Sequence, residues 1–292
     1  FLPVIAVGAM WSQGQSEGMR KLSLADFAIT NLYVDEVDEN KLVEDAIRGM
    51  LDKLDPHSTY TTAEETREMN EPLQGNFSGV GIQFNMNKDT LYVIQTIVGG
   101  PSEKVGILAG DRIIAVNDTT IAGVKMKNTD IMKRLRGESG TVVRVTVLRK
   151  GGKEPIEFRI VRDKIPIYSI DASYMADKET GYIRVSRFAV TTDKEFSDVI
   201  KELKKKGMKN LIVDLQGNGG GFLTSAIAMA DEFLDDGQSI VYTEGRRSPR
   251  DDAFASKRGQ FQKGKLVLLV DESSASASEI LSGAIQDWDR GI

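Results

Sequence analysis

The sequence contains no cysteine. Disulfide stapling, thiol catalysis and cysteine-ligated metals are therefore all excluded. Histidine occurs once, as His57, which leaves little from which to build a zinc site. No long basic run is present and the formal net charge is −5, so nucleic acid is not an expected partner. No cofactor or metal is implied. Apolar runs of membrane-spanning length are also lacking. The opening FLPVIAVGAMW is too short to cross a bilayer. It fits the apolar region of an export signal without its basic start, and a short helix docked on the protein is the other reading. The first reading places the protein in the periplasm or cell envelope and allows membrane association through Phe1–Trp11.

What is present describes a globular protein. Forty per cent of the 292 residues are hydrophobic and 28 per cent charged, enough for two or three domains with sizeable cores. The stretch that carries chemistry is KLVLLVDESSASASEILSGAIQDWD, Lys265–Asp289. Leu266–Val270 reads as a buried strand and Asp271–Ser274 as a turn. Ile280, Leu281, Ile285 and Trp288 then fall on one helical face. Small residues, Ser274 to Ser278, occupy the strand-to-helix junction. A hydroxyl placed there has the first helical N–H groups and the positive end of the helix dipole beside it. A serine nucleophile needs that arrangement, and so does a serine that merely caps a helix.

SASASEI after VLLVDE resembles the nucleophile motif of the carboxyl-terminal processing proteases, the tail-specific proteases of the S41-type serine peptidases. The resemblance makes Ser276 the nucleophile and the Ala277 amide one oxyanion donor. It extends along most of the chain. Residues 22–54 look helical, with Asp38 as a cap and Asp55-Pro56 as a stop. LDPHSTY, from Leu54, resembles the family segment that precedes its PDZ domain, which makes His57 a structural loop residue; no acidic orienter or nucleophile stands in a triad pattern with it.

Between 73 and 163 the pattern alternates. Strands are expected at Gly81–Phe84, Leu91–Ile97, Asp111–Val116 and Val142–Arg149. Helices are expected at Ser102–Val105 and Asn128–Arg136, with a turn at Asn117-Asp118 and a hairpin at Lys150–Lys153. PSEKVGILAGDRIIAVN resembles a permuted PDZ domain, and Gly79, Val80, Gly81 and Ile82 match its carboxylate-binding loop. Successive N–H groups can converge on one anion only where side chains leave room; two turn glycines in a small sheet would look the same. By resemblance Arg136, in LRGESGT, couples peptide binding to the protease domain.

From about Lys164 a third unit is expected. Thr180–Phe188 reads as a strand and Thr192 as the cap of a helix bearing Phe196, Val199, Ile200 and Leu203. Leu211–Leu215 is a strand covered on both faces. QGNGGGF, Gln216–Phe222, leads into a helix with Leu223, Ala226, Ile227, Ala230, Phe233 and Leu234 in register. It lacks the Gly-Lys-Ser/Thr of a phosphate cradle. It resembles the family's D-L-R-x-N-x-G-G segment, whose glycine amide is the second oxyanion donor. Gly219 and Gly220 match, with Gly220 the closer; Gln216 stands where Arg is usual and Gly219 where Pro is frequent. Gly245–Gly264 reads as an irregular surface loop.

A serine needs a base, and the family uses a lysine kept neutral by burial, in an FGKG segment beyond the nucleophile. The chain continues only to Ile292 and contains no FGKG. The expectation is an incomplete catalytic domain whose lysine lies beyond Ile292; a non-catalytic relative that captures tails as a PDZ adaptor is the alternative. An acyl-CoA enzyme of crotonase type and a trypsin-like PDZ protease fit less well. The former has neither a PDZ insert nor SASASEI, and the latter needs His, Asp and G-x-S-G ahead of the PDZ. The expected architecture is multidomain α/β: an export remnant and linker (1–21), a helical region (22–72), a PDZ domain (73–163) and a ClpP/crotonase-like protease core (164–292). Partners would be proteins with unstructured C-terminal tails. The oligomeric state is open, a homodimer included.

Overall fold

The computed structural model describes residues 16–152 and 154–292. The expectations for Phe1–Trp11 and for Lys153 of the hairpin lie outside these residues. The chain divides into two compact units, Phe1–Arg67 and Glu68–Ile292.

In the first unit, the helical region expected over 22–54 consists of α1 (Glu17–Leu32) and α2 (Glu39–Leu51), with Asp38 capping the second as expected. Ser16 starts α1 by accepting the Met19 N–H, and Asp38 starts α2 by accepting the Lys41 N–H. A capping carboxylate of this kind satisfies a helix N-terminus. Helix α3 (Ala63–Asn70) follows. Between α2 and α3, the Asp55 carboxylate accepts the N–H groups of His57 and Ser58 and the Ser58 hydroxyl. LDPHS is thus an Asx turn. His57 is exposed in it, and its ring has no hydrogen-bond partner among the described residues. Among those residues no helix is long and apolar enough to cross a membrane.

The second unit contains two separate hydrophobic cores. The first is built from β1 (Asn76–Gly79), β2 (Ile82–Asn87), β3 (Thr90–Thr96), α4 (Pro101–Val105), β4 (Arg112–Val116), β5 (Thr119–Thr120), α5 (Asn128–Leu135), β6 (Val142–Leu148), β7 (Ile156–Val161) and β8 (Asp163–Pro166). Strands β2-β3-β4-β6-β7 make an antiparallel sheet in that order, with β5 on β4. Period-two patterning places Val143, Val145 and Val147 of β6 in the core at 0% exposure. Gly106 ends α4 in the left-handed region at φ 89°, and Asn117-Asp118 turn with φ 47° and 62°, as expected of a primed hairpin turn. The pairing of β1 with β8 is not visible in the sequence, because its partners lie far apart along the chain and neither strand is strongly apolar.

The second core surrounds a four-stranded sheet. Its elements are β9 (Ile170–Met175), β10 (Thr180–Val185), α6 (Thr192–Lys205), β11 (Asn210–Asp214), α7 (Leu223–Asp231), β12 (Ser239–Gly245), β13 (Ser248–Phe254), β14 (Leu266–Leu269) and α8 (Ala277–Asp287). The sheet order is β14-β11-β10-β9, with β14, β11 and β10 parallel and β9 antiparallel at one edge. Phe196 and Ile200 of α6, Ala226 and Met229 of α7, and Leu281 of α8 share its core at 0% exposure. Helix α7 stops before Phe233 and Leu234, which are nevertheless fully buried. Trp288 stays 43% exposed and donates its indole N–H to the Ser239 carbonyl. Thr192 is the first residue of α6 rather than its cap; its hydroxyl accepts the Ala189 N–H at 2.7 Å.

One expectation fails outright. Gly245–Gly264 is not an irregular loop, since β13 within it pairs with β12 as a hairpin. Arg250 lies 3.8 Å over the Tyr242 ring and grips Asp252 with two nitrogens. An ion pair within β13 and a cation over a cross-strand ring, rather than burial, mark this hairpin, so no apolar alternation announces it.

The PDZ-like core has an ionic anchor. The carboxylate of Asp111, 1% exposed, accepts Arg149 Nε at 2.8 Å and Nη2 at 2.7 Å, and also the Leu108 N–H at 2.9 Å. Burial works to raise this carboxyl, but the Arg149 bonds and the Leu108 N–H outweigh it and hold the pKa below the ordinary 3.8. A depressed folded-state pKa adds stability that is complete above the unfolded value and lost as pH falls through the folded one. Replacing Asp111 by Asn is expected to cost about 2 kcal/mol at neutral pH, read as lost hydrogen-exchange protection of β4 and β6 amides. The gap from wild type should narrow below about pH 3.8, and a gap that does not depend on pH would remove the ion pair from the account.

Candidate active site

Parallel pairing of β11 with β14, from Leu211↔Leu266 to Asp214↔Leu269, brings their C-terminal ends side by side. The loops that leave those ends therefore meet, as ligand sites do at the carboxyl ends of parallel strands. One loop is Gln216–Phe222 and the other is Asp271–Ser276. Asp271 joins them: its carboxylate accepts the N–H of Gly217 at 3.0 Å, the N–H of Ser273 at 3.0 Å and the Ser274 hydroxyl at 3.2 Å. The Gly217 N–H is the main reason its pKa lies below the usual carboxylate range.

Ser276 occupies the N-cap of α8 with φ 55° and ψ −110°. Serine rarely adopts such a conformation, and holding it costs about 1–3 kcal/mol. The side chain is exposed, while Ala277 and Ser278 behind it are buried. Glu279 reaches back to accept the Ser276 N–H at 2.5 Å, a capping-box pairing. Ser276 is thus a helix cap and also an exposed hydroxyl on a strained turn. The Ala277 N–H, first of the helix, meets no acceptor among the described residues.

The glycine loop lies directly against this turn. Gly220 has φ 104°, and a Cβ on it would sit 2.8 Å from Ser276 Cβ, 2.8 Å from the Ala275 carbonyl oxygen and 3.0 Å from Ala277 N. No side chain could let the two loops approach so closely. Gly221 bridges Phe188 on the other side. The two candidate donors differ in this structure. The Gly220 N–H donates to Asn218 Oδ1 at 2.9 Å, whereas the Gly219 N–H has no acceptor among the described residues. Gln216 occupies the place where the resemblance expects arginine. The cation beside Asp214 is instead Arg184 of β10, at 3.5 Å. Tyr182 also donates to Asp214 at 2.5 Å, and that bond is the main reason its hydroxyl is raised.

No lysine or histidine side chain hydrogen-bonds to Ser276 among the described residues, and no cluster there could hold a metal ion. Asn218 and Asp271 organise the site and were not singled out by sequence. The signal for Asn218 was a lone amide residue among glycines, a pattern that bonds to its own backbone.

A second recess lies in the β-rich core. Gly79, Val80, Gly81 and Ile82 line a cavity of about 130 Å³ together with Leu135 and Arg136. Val80 and Gly81 are buried, and neither N–H has an acceptor among the described residues. Buried N–H groups are almost always paired, so this pair is suited to receive an anion. Gly81 has φ 73°, and Ile165 Cδ1 would lie 2.9 Å from a Cβ there. Arg136, at the wall, lies 4.9 Å over the Phe77 ring and pairs with Glu71.

The loop packing generates a test that needs no activity. Gly220→Ala should lower stability by at least about 2 kcal/mol through clash and a positive φ. Gly219→Ala, which meets nothing within 4 Å, should stay within about 0.5 kcal/mol of wild type. Equal melting temperatures for the two variants would contradict the described contact.

Sequence comparisons match three stretches of the chain to known families. Residues 179–292 match Peptidase family S41, residues 78–160 a PDZ domain, and residues 7–66 the activating protease CtpB N-terminal domain. A carboxy-terminal-processing protease of Bartonella bacilliformis is 37% identical over 88% of this chain and 59% of its own length. The carboxy-terminal processing protease CtpA of Bacillus subtilis is 35% identical over 91% of this chain and 56% of its own length. The chain thus spans little more than half the length of these curated relatives. Among solved structures, a photosystem II D1 C-terminal processing protease aligns with a TM-score of 0.48 and 26% identity, covering 95% of this chain and 81% of that one. The helical region, the PDZ domain and the S41 core make one multidomain α/β chain, and that chain belongs to peptidase family S41, with the carboxy-terminal processing proteases.

Proposed function

We propose that this chain is the tail-recognising and nucleophile-bearing part of a serine endopeptidase that acts on protein C-termini. The observation that carries the reading is the strained, exposed Ser276 packed against Gly220, with an unbonded Ala277 N–H beside it. Ser276 Oγ attacks the scissile carbonyl carbon and gives its proton to a base. The carbonyl electrons move onto oxygen, where the Ala277 N–H and an N–H of Gly219 or Gly220 stabilise the charge. The C–N bond then breaks, the amine takes the proton and leaves, and water releases the acyl group from Ser276. The base is proposed to be a lysine on residues that follow Ile292. Without it, residues 1–292 alone would bind peptides and hydrolyse them negligibly.

The tail is proposed to add as a strand beside β2, with its carboxylate on the Val80 and Gly81 N–H groups. Arg136 supports a route from that groove to the catalytic loops. Its partner Glu71 leads to Leu73, whose carbonyl accepts the Val190 N–H at 2.9 Å, and Phe188 nearby bonds both Gly220 and Phe222. Substrates would be unfolded proteins with apolar tails, met in the cell envelope after export.

The test is hydrolysis of such a protein by the full-length gene product. Ser276→Ala should abolish cleavage by about 10⁴-fold or more. Amidating the substrate's C-terminus should lower kcat/KM about tenfold, the value of a charge-assisted hydrogen bond. Tail binding with no cleavage by the full-length wild type would instead make this an adaptor on a silenced protease scaffold.

A further inference from the structure

Asn218 is fully buried although it carries an amide side chain. Such a group is costly unless every polar atom finds a partner, and here each does. Its Nδ2 donates to the Val185 carbonyl at the end of β10, at 2.9 Å, and its Oδ1 accepts the Gly220 N–H at 2.9 Å. Its own N–H donates to the Leu215 carbonyl at 3.0 Å. Its carbonyl accepts the Ala275 N–H at 3.1 Å and the Ser278 hydroxyl at 2.9 Å. The Ser278 hydroxyl, equally buried, donates to this carbonyl alone among the described residues. The two acceptor bonds fall one residue before and two residues after the nucleophile.

We propose that Asn218 and Ser278 are positioning residues of the oxyanion site: together they fix the spacing between the Gly219–Gly220 backbone and the Ala277 N–H. Neither touches substrate. Side-chain amide, main-chain carbonyl and hydroxyl form one clamp, which ties the glycine loop to β10 on one side and to the serine turn on the other. A simple loop anchor would need the Val185 bond alone. Apart from the turn bond to Leu215, the additional bonds go to the segments that carry the nucleophile and the donors. With Oδ1 holding the Gly220 N–H, the clamp also sets the plane of the peptide between the two candidate donor glycines. An oxyanion is stabilised only by donors already at hydrogen-bond distance when the charge forms, and shifts well below 1 Å matter at such a site.

This inference rests on the protease reading, and the experiment separates the two. Full-length wild type, Ser276→Ala, Ser278→Ala and Asn218→Asp are compared, with active sites counted by a serine-directed fluorophosphonate. A peptidyl aldehyde, whose hemiacetal with Ser276 places its oxygen in the same hole, supplies an inhibition constant. Ser278→Ala should lose about tenfold in kcat per active site and Asn218→Asp about 10²-fold, approaching loss of one oxyanion donor. KM should stay within twofold, and aldehyde affinity should fall in parallel with kcat. Residues with a merely structural role would lower the melting temperature and the titrated fraction but leave kcat per site and aldehyde affinity unchanged, and that result overturns the proposal. Should Asn218→Asp not fold, Ser278→Ala decides, since it removes one oxygen and creates no charge. Undiminished cleavage by Ser276→Ala would overturn the protease reading itself, and the clamp with it.

Discussion

Parallel pairing of β11 with β14 is the constraint on which the catalytic region depends. Two apolar strands far apart in sequence are held side by side, so their departing loops must share the space beyond the sheet. Neither loop could act by itself. The loop after β14 offers a hydroxyl and a helix N-terminus, and the loop after β11 offers glycine backbone with no side chains in the way. Gly220 permits their contact, Asp271 joins their flanks, and the Asn218 carbonyl joins their centres by accepting from Ala275 and Ser278. The strain in Ser276 is held by this surrounding network, in keeping with unusual backbone angles that persist only where neighbours over-determine them.

The PDZ-like core uses a close backbone approach of the same kind at its own recess. Gly81 again lets backbone approach closely, here against Ile165, and leaves N–H groups facing a cavity instead of a ladder partner. The strand pair β1–β8 frames the loop that carries those groups. Arg136 stands at the same wall, yet its charge is directed to Glu71 and the Phe77 face. Among the described residues, the structure thus places two unbonded N–H groups and a cation with an ionic partner at one groove.

Legibility in the sequence followed burial. Leu266–Leu269, Asn210–Asp214 and the valines of β6 could be read because one or both faces are apolar. The helix of Phe196, Ile200 and Leu203 showed its period for the same reason. The hairpin β12–β13 could not be read, because its strands carry tyrosine, arginine and aspartate in place of an alternating apolar face. The break between α1 and α2 could be read at one side only: the Asp38 cap marks the start of α2, whereas the end of α1 at Leu32 carries no such signal.

The sequence by itself determined which residues are candidates for the chemistry: one serine triplet before an apolar helix, a run of glycines after an apolar strand, and no thiol or second histidine to compete with them. Side-chain type and local period suffice for that. Only the tertiary structure decided which atoms meet. It set Ser276 at positive φ, engaged the Gly220 N–H while leaving that of Gly219 unbonded, buried Asn218 with every polar atom paired, and put Arg184 beside Asp214. These outcomes depend on strand register and on contacts between segments distant in the chain, and no local pattern encodes either.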